Sequence, residues 1–466
     1  MRRLSGLDAA FLMSEPMQII ALGLLRAGSG GPLALEDLYR HLAARLDQLP
    51  AFRRRVVPVP LGLAPPVFVE DPRFDLGDHL CHAVLPEPGG PVELDAACGQ
   101  LVSQGLDRGR PLWRITLVDG LADGRQAVLL EIHHALMDGV ALRTTLARIF
   151  VREEPAVSPH TSWQPARLPG RVRLVTGALI HDARALARLP ELVGRTRRGT
   201  VAVRQRQQGA AVNVPKAGVD APLSVINQGF TPERRFARAS LPLENVVAVK
   251  DVAGVTVNDV ALALVSGALR GYLQARGALP DRPLLARVPV GMEDPGSTPR
   301  AVGNRFSALA TSLATDIANP WERLQRISAV TAEAKACLDL AGRELLADTA
   351  EYFPPMLMGL IARREAAARR HPGTRRIKID TNVVVSNLRG PSVPWQLGST
   401  VVEEMYLGPA GSGVGMNFVF WDYAGRLLFG ILSFAGSVED PGELALWLSR
   451  SLDELVAAAE CRRVPT

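Results

Sequence analysis

Ala127-Val128-Leu129-Leu130-Glu131-Ile132-His133-His134-Ala135-Leu136-Met137-Asp138-Gly139 is an apolar run, broken only by Glu131, that ends in two histidines, with an aspartate four residues after the second and a glycine beside it. The apolar part is short and reads as a largely buried strand. Just upstream, residues 113–118 form a second such run. The pairs Asp119-Gly120 and Asp123-Gly124 between the two signal an antiparallel hairpin with a long loop. Further upstream, Leu35, Leu38, Leu42 and Leu46 recur at helical spacing. Residues 1–153 therefore read as an α/β layer, with the histidines where its second hairpin strand ends.

At 466 residues the chain is too long for one ordinary core and is expected to form two domains. Residues 154–170 are rich in Pro and Ser and read as a surface linker. Between Arg167 and Arg206 there are ten arginines against only Asp182 and Glu191, with interspersed leucines and valines. This stretch reads as a surface crossover, helical as far as Pro190, where a helix should break or kink. A basic amphipathic helix fits an anionic lipid surface; a solvated helix kept polar for solubility has the same composition. The expected division is 1–153, a linker and crossover at 154–215, and a second α/β region at 216–466. In that last region Thr256-Val257-Asn258-Asp259 has the spacing of a helix cap. Residues 381–385 and 417–420 look like strands, punctuated by Gly390-Pro391 and Gly411-Ser412-Gly413.

Composition narrows the class of protein. Hydrophobic residues are 47% and charged residues 21%, ordinary for a folded domain. No stretch reaches the 18 or more uncharged apolar residues of a spanning helix, and Asp8 and Ser14-Glu15-Pro16 interrupt the start where a secretory signal would need an apolar run. The four cysteines, Cys81, Cys98, Cys337 and Cys461, are widely spaced, which points to a reducing cytoplasm and not to a disulfide framework. His79, Cys81 and His82 lie close together, but no partner set follows at metal-site spacing, so no metal is expected. Gly411-Ser412-Gly413-Val414-Gly415 lacks the spacing of a phosphate cradle and reads as a turn or bulge. The net charge of +6 calls for an anionic partner or none. The basic stretch has no interleaved aromatics, which argues against nucleic acid.

The chemistry gathers at the two histidines. Imidazole titrates near neutrality and can accept a hydroxyl proton and later return it. Adjacent strand residues point to opposite faces, so one histidine acts and the other supports it. Gly139 allows a sharp turn or a close approach, and Asp138 is free to order the loop, with Arg114 on the neighbouring strand as its candidate partner.

The sequence resembles the bacterial wax ester synthase/acyl-CoA:diacylglycerol acyltransferase family, within the superfamily of chloramphenicol acetyltransferases and peptide-synthetase condensation domains. The resemblance rests on ordered blocks: Leu4-Ser5-Gly6-Leu7-Asp8-Ala9-Ala10-Phe11-Leu12, Val69 through Leu76, Leu106 through Trp113, the double histidine, Asn258-Asp259, Val288-Pro289-Val290, Gly303-Asn304-Arg305, Ser386 through Pro391, and Gly415-Met416-Asn417. It implies two CoA-dependent-acyltransferase-like α/β domains with a substrate tunnel between them. It also implies His134 as general base, Asp138 as organiser of the loop, His133 and Gly139 as supports, and Asn258 and Asp259 near the tunnel; the last two read equally as helix-start residues. Acyl-CoA would be co-substrate, with no further cofactor, and diacylglycerol or a long-chain alcohol the acceptor, at the cytoplasmic face of a membrane or on lipid droplets. No GxSxG elbow or activated cysteine calls for an acyl-enzyme. A relative acting on another hydroxyl or amine, and a lipid-binding protein of the same fold without activity, are the alternatives. Arg114 stands where the family has an acidic residue, and Arg389 where it has proline.

Overall fold

A computed structural model describes residues 1–13, 17–151, 167–228, 231–293, 296–353, 360, 364, 379–408 and 414–462. Residues 154–166 of the expected linker, and Gly411-Ser412-Gly413, lie outside the described residues. The run quoted first forms the strand Gln126–His133, buried along its whole length. It is buried because it sits in the middle of a six-stranded sheet, ordered Gln396–Leu397, Thr400–Gly408, Gln18–Arg26, Gln126–His133, Trp113–Asp119, Leu80–Val84. The expected hairpin is there, antiparallel, with Trp113 opposite Ile132 and Arg114 opposite Glu131.

The two outer strands Gln396–Leu397 and Thr400–Gly408 come from the far end of the chain, so residues within 216–466 complete the sheet of the first region. Side chains of the second sheet tie this crossover down: Trp421 Nε1 donates to the Met405 carbonyl at 2.6 Å and Tyr423 Oη to that of Val402 at 2.7 Å. The second sheet is also six-stranded, ordered Phe306–Ser312, Leu285–Gly291, Val383–Arg389, Met416–Tyr423, Arg426–Phe434, Arg234–Pro242. Alternation along Met416–Tyr423 explains how the halves join. Val419, Trp421 and Tyr423 enter the first core, and Met416, Phe418 and Phe420 enter the second. Helices Leu243–Ala253, Val257–Gln274, Pro320–Ala341 and Gly442–Glu460 supply the rest of that second core.

Thr256 caps Val257–Gln274 as its spacing predicts, its hydroxyl accepting from the Asp259 amide. The break expected at Pro190 does not occur: Arg171–Gln208 is one 38-residue helix with Pro190 inside it. Buried residues fasten it on both sides of the proline, Leu174 and Ala178 before and Leu192 and Gly199 after. Around Pro190 itself the helix is exposed, so the carbonyl that proline leaves unpaired can meet water. Among the described residues no single helix is long and apolar enough to cross a membrane. The pair Leu243–Ala253 and Val257–Gln274 passes by composition only, bent by 106°, and the second of these helices is core.

Candidate active site

The strand Gln126–His133 ends where three segments from elsewhere converge on it: the helix Gly6–Met13, the loop before Phe306–Ser312, and the strand Val383–Arg389. His134 leaves the strand with its amide donating to the Met17 carbonyl at 2.7 Å. Its own carbonyl accepts from Asn304 Nδ2, also at 2.7 Å. The ring stacks on Phe11, with centroids 4.1 Å apart and planes 19° apart, and Phe306 lies tilted 6.2 Å away. His134, Phe11 and Phe306 are each half-buried. Nδ1 of His134 is buried without a hydrogen bond of good geometry, and the polar groups beside the ring are its own carbonyl and Asn304. Burial pushes its pKa below the ordinary histidine value, while the charges of Asp138 and Asp8 pull the other way. The ring is neutral at pH 7, the form that can accept a proton.

His133 is placed differently. It is 5% exposed, and its Nδ1 accepts from the Ala135 amide at 3.1 Å, which fixes the neutral ring with its proton on Nε2. Burial, together with Arg108 and His134, lowers its pKa to about 3. Such a ring holds the turn and is a poor proton acceptor near neutrality.

Asp138 makes no direct contact with the His134 ring in the hydrogen bonds described. It caps the helix Gly139–Ile149, Oδ1 accepting from the Ala141 amide at 3.0 Å. Oδ2 accepts from Arg300 Nη2 and from the Arg305 amide, both at 2.8 Å. Arg300 is therefore its partner, in place of the expected Arg114. Arg114 sits directly across the hairpin from fully buried Glu131 and pairs with it at 2.7 Å. A buried carboxylate in register opposite an arginine takes it, and this accounts for the basic residue at that position. Backbone bonds reinforce the junction: the Gly303 amide donates to Leu136 at 2.6 Å, and Met137 and Gly303 form a parallel bridge.

Gly139 is the first residue of its helix. A Cβ there would meet a methyl of the Leu388 side chain at 2.6 Å, so the glycine sits at a close approach between the halves that a shift of that side chain would relieve. Asn258 accepts from Asn387 at 3.5 Å, next to Leu388, while Asp259 is held by Thr256 and Ser328. The helix-start reading therefore accounts fully for Asp259 and brings Asn258 to the border of the site. His79, Cys81 and His82 do not form one cluster. His79 stacks on Trp113 and bonds its carbonyl, and His82 pairs with Asp119. Among the described residues no group of three His, Cys, Asp or Glu could hold a metal. Four cavities of about 170 to 460 Å³ have linings that do not include His134.

Two family models match the chain: the wax ester synthase/diacylglycerol acyltransferase catalytic domain over residues 4–261, and the C-terminal domain of the same family over residues 302–456. A putative diacylglycerol O-acyltransferase of Mycobacterium tuberculosis is 34% identical across 98% of this chain and 97% of its own. The chain belongs to the wax ester synthase/diacylglycerol acyltransferase family. A second putative diacylglycerol O-acyltransferase of the same organism is 33% identical over 100% of this chain and 99% of its own. Among solved structures, the wax ester synthase/diacylglycerol acyltransferase from Marinobacter aquaeolei VT8 matches with a TM-score of 0.66 and 27% identity, covering 99% of this chain and 100% of that one. The first condensation domain of the CDA synthetase matches with a TM-score of 0.57 at 16% identity, covering 98% and 95%, which shows the shared fold.

For this family member the sequence motifs locate the loop but not its surroundings. Asp8, Phe11, Arg300, Asn304 and Phe306 all touch the double-histidine loop or its partners, and none drew a role from the sequence alone. Ser5-Gly6-Leu7-Asp8 does carry the S-x-x-D spacing of a helix cap, which could have marked Asp8 as a fixed residue.

Proposed function

We propose that this acyltransferase moves a long-chain acyl group from acyl-CoA to the hydroxyl of diacylglycerol or a long-chain alcohol, with His134 as general base. The observation that supports it most is the half-buried His134 ring packed against Phe11 and Phe306, at the seam of two family-matched halves. His134 takes the hydroxyl proton as the oxygen attacks the thioester carbonyl. The tetrahedral intermediate then collapses, the C–S bond breaks, and the imidazolium returns the proton to the departing CoA thiolate. Phe11 and Phe306 offer alkyl chains an apolar wall along the proposed tunnel. No acyl-enzyme is invoked: Cys98 is fully buried and burial holds its thiol protonated.

The test is an acyl-CoA transfer assay against a panel of diacylglycerol and alcohol acceptors. His134→Ala is expected to lower turnover by at least about 10²-fold with the fold kept. Near-normal turnover in the folded variant would refute the assignment.

A peripheral position on an anionic membrane or lipid-droplet surface is part of the same proposal, carried by the helix Arg171–Gln208. Opposite its buried residues, Val172, Leu179, Leu186 and Val193 recur every seventh position at 77%, 59%, 66% and 43% exposure, followed by Val201 at 55%. Exposed Arg171, Arg184, Arg188, Arg197, Arg198 and Arg204 accompany this stripe, whereas Arg195 and Arg206 turn inward to Asp348 and Glu333. Apolar insertion flanked by arginine suits an interfacial helix. The protein should float with anionic vesicles, and Leu179→Glu with Leu186→Glu should abolish flotation. Failure of the unaltered protein to float would remove the proposal.

A further inference from the structure

We infer that Asp8 and Asn304 are positioning residues for His134, clamping its backbone from two sides of the seam while Phe11 fixes its ring. This rests on the reading of His134 as base. Asn304 Nδ2 carries two protons, and both are committed: one to Asp8 Oδ1 and one to the His134 carbonyl, each at 2.7 Å. The Asn304 amide donates to the same Asp8 oxygen at 3.0 Å. An Asn side chain held at two acceptors and by its own backbone has one orientation open to it.

Asp8 is equally constrained. It is 2% exposed; its Oδ2 accepts from the Ser5 amide at 3.2 Å, and its own amide donates to Ser5 Oγ at 3.1 Å. One oxygen therefore closes the start of helix Gly6–Met13 and the other reaches Asn304. The same helix delivers Phe11, three residues after Asp8 and so on the same side, to the face of the His134 ring. The His134 peptide is thus held at its N–H by Met17 and at its C=O by Asn304 of the other half. If the halves shift, the base shifts with them.

The clamp also carries charge. Around His134 the ionisable groups are Asp8 from the helix, Asp138 from its own loop and neighbouring His133, while Asp8 is itself faced by Arg2 and Glu351. A negative Asp8 favours the imidazolium that forms when the hydroxyl proton is taken. Desolvation raises the Asp8 pKa, opposed by its hydrogen bonds from Asn304 and Ser5.

The experiment measures kcat and KM from pH 5 to 9 for Asn304→Ala, Asp8→Asn and His134→Ala, with acyl-CoA and the acceptor that the panel selects. Thermal melting verifies each fold. Asn304→Ala should lower kcat by up to about 10²-fold, the scale of a misplacement near 1 Å, with KM for acyl-CoA held. Asp8→Asn keeps the shape and the oxygen that accepts from Asn304, removes the charge, and turns the second oxygen into an NH2 that no longer accepts from the Ser5 amide. Its kcat profile should move its acid limb to lower pH, because the imidazolium loses a stabilising neighbour. Purely structural mortar would not move that limb. Wild-type kcat in folded Asn304→Ala, or an unmoved acid limb in folded Asp8→Asn, would overturn the inference. Should Asn304→Ala fail to fold, Asp8→Asn decides alone. Turnover retained in His134→Ala defeats the base itself; loss there beside a normal Asn304→Ala defeats only the clamp.

Discussion

Ser5 and Asp8 at the start of helix Gly6–Met13 make the same reciprocal bonds as Thr256 and Asp259 at the start of Val257–Gln274. In the first, Asp8 Oδ2 accepts from the Ser5 amide at 3.2 Å and the Asp8 amide donates to Ser5 Oγ at 3.1 Å. In the second, Asp259 Oδ2 accepts from the Thr256 amide at 3.0 Å and the Asp259 amide donates to Thr256 Oγ1 at 3.2 Å. Both carboxylates are buried. They differ in what else they hold. Asp259 takes further bonds from Thr256 Oγ1 and Ser328, neighbours within its own core. Asp8 offers its other oxygen across the seam to Asn304 and, through it, to His134. A capping carboxylate has two oxygens, and the one not needed locally can join distant parts of the chain. Asp138 follows the Asp8 pattern: Oδ1 caps its helix, and Oδ2 reaches Arg300 and Arg305.

The largest effect should come from breaking the reach of Asp138. Its side chain is 6% exposed and that of Arg300 22%. Asp138→Ala removes the cap and leaves Arg300 with Glu293 as its ionic partner. Breaking a buried pair costs about 3–5 kcal/mol; because Arg300 keeps Glu293, the lower end applies. Urea denaturation should show that loss, with turnover falling as the motif loop loosens. An unfolding free energy within about 0.5 kcal/mol of the parent would mean the reach across the seam is idle.

Asp259→Ala sharpens the contrast from the other side. Losing the local box should cost about 1–2 kcal/mol, with the kcat of the folded enzyme unchanged, because its partners lie in the second core. If kcat falls together with stability, Asp259 belongs to the site after all, and the difference between the two helix starts disappears.

How much of this was legible beforehand follows from the range of each interaction. The hairpin and the Thr256 cap are local patterns, and both stand where the spacing puts them. Arg114 opposite Glu131 follows from strand register, which residue pattern alone left unfixed. The helix through Pro190 depends on anchors at Leu174, Ala178, Leu192 and Gly199, whose burial comes from distant packing. The strand Thr400–Gly408 joins a sheet built almost four hundred residues earlier, a pairing its own alternation does not name. The site shows the same limit. His133, His134, Asp138 and Gly139 are contiguous and legible, whereas Asn304 and Asp8 lie 170 and 126 residues from His134 in sequence and meet it only after the halves close.

The smallest predicted effects separate the two boxes most finely. Ser5→Ala and Thr256→Ala each remove one hydroxyl that accepts at a helix start, the Thr256 hydroxyl also donating to Asp259, and each should cost about 1 kcal/mol. In a long two-part chain that is a small shift in thermal midpoint, about 2–4 °C. The two variants should therefore look alike by melting and different by rate. Without Ser5 Oγ, the Asp8 amide loses its partner and the carboxylate gains freedom to turn away from Asn304, so kcat falls several-fold with KM held. Thr256→Ala loosens only the start of a core helix, and kcat stays. Equal kcat in the two variants at equal stability would show that the first box, like the second, does nothing beyond starting its helix.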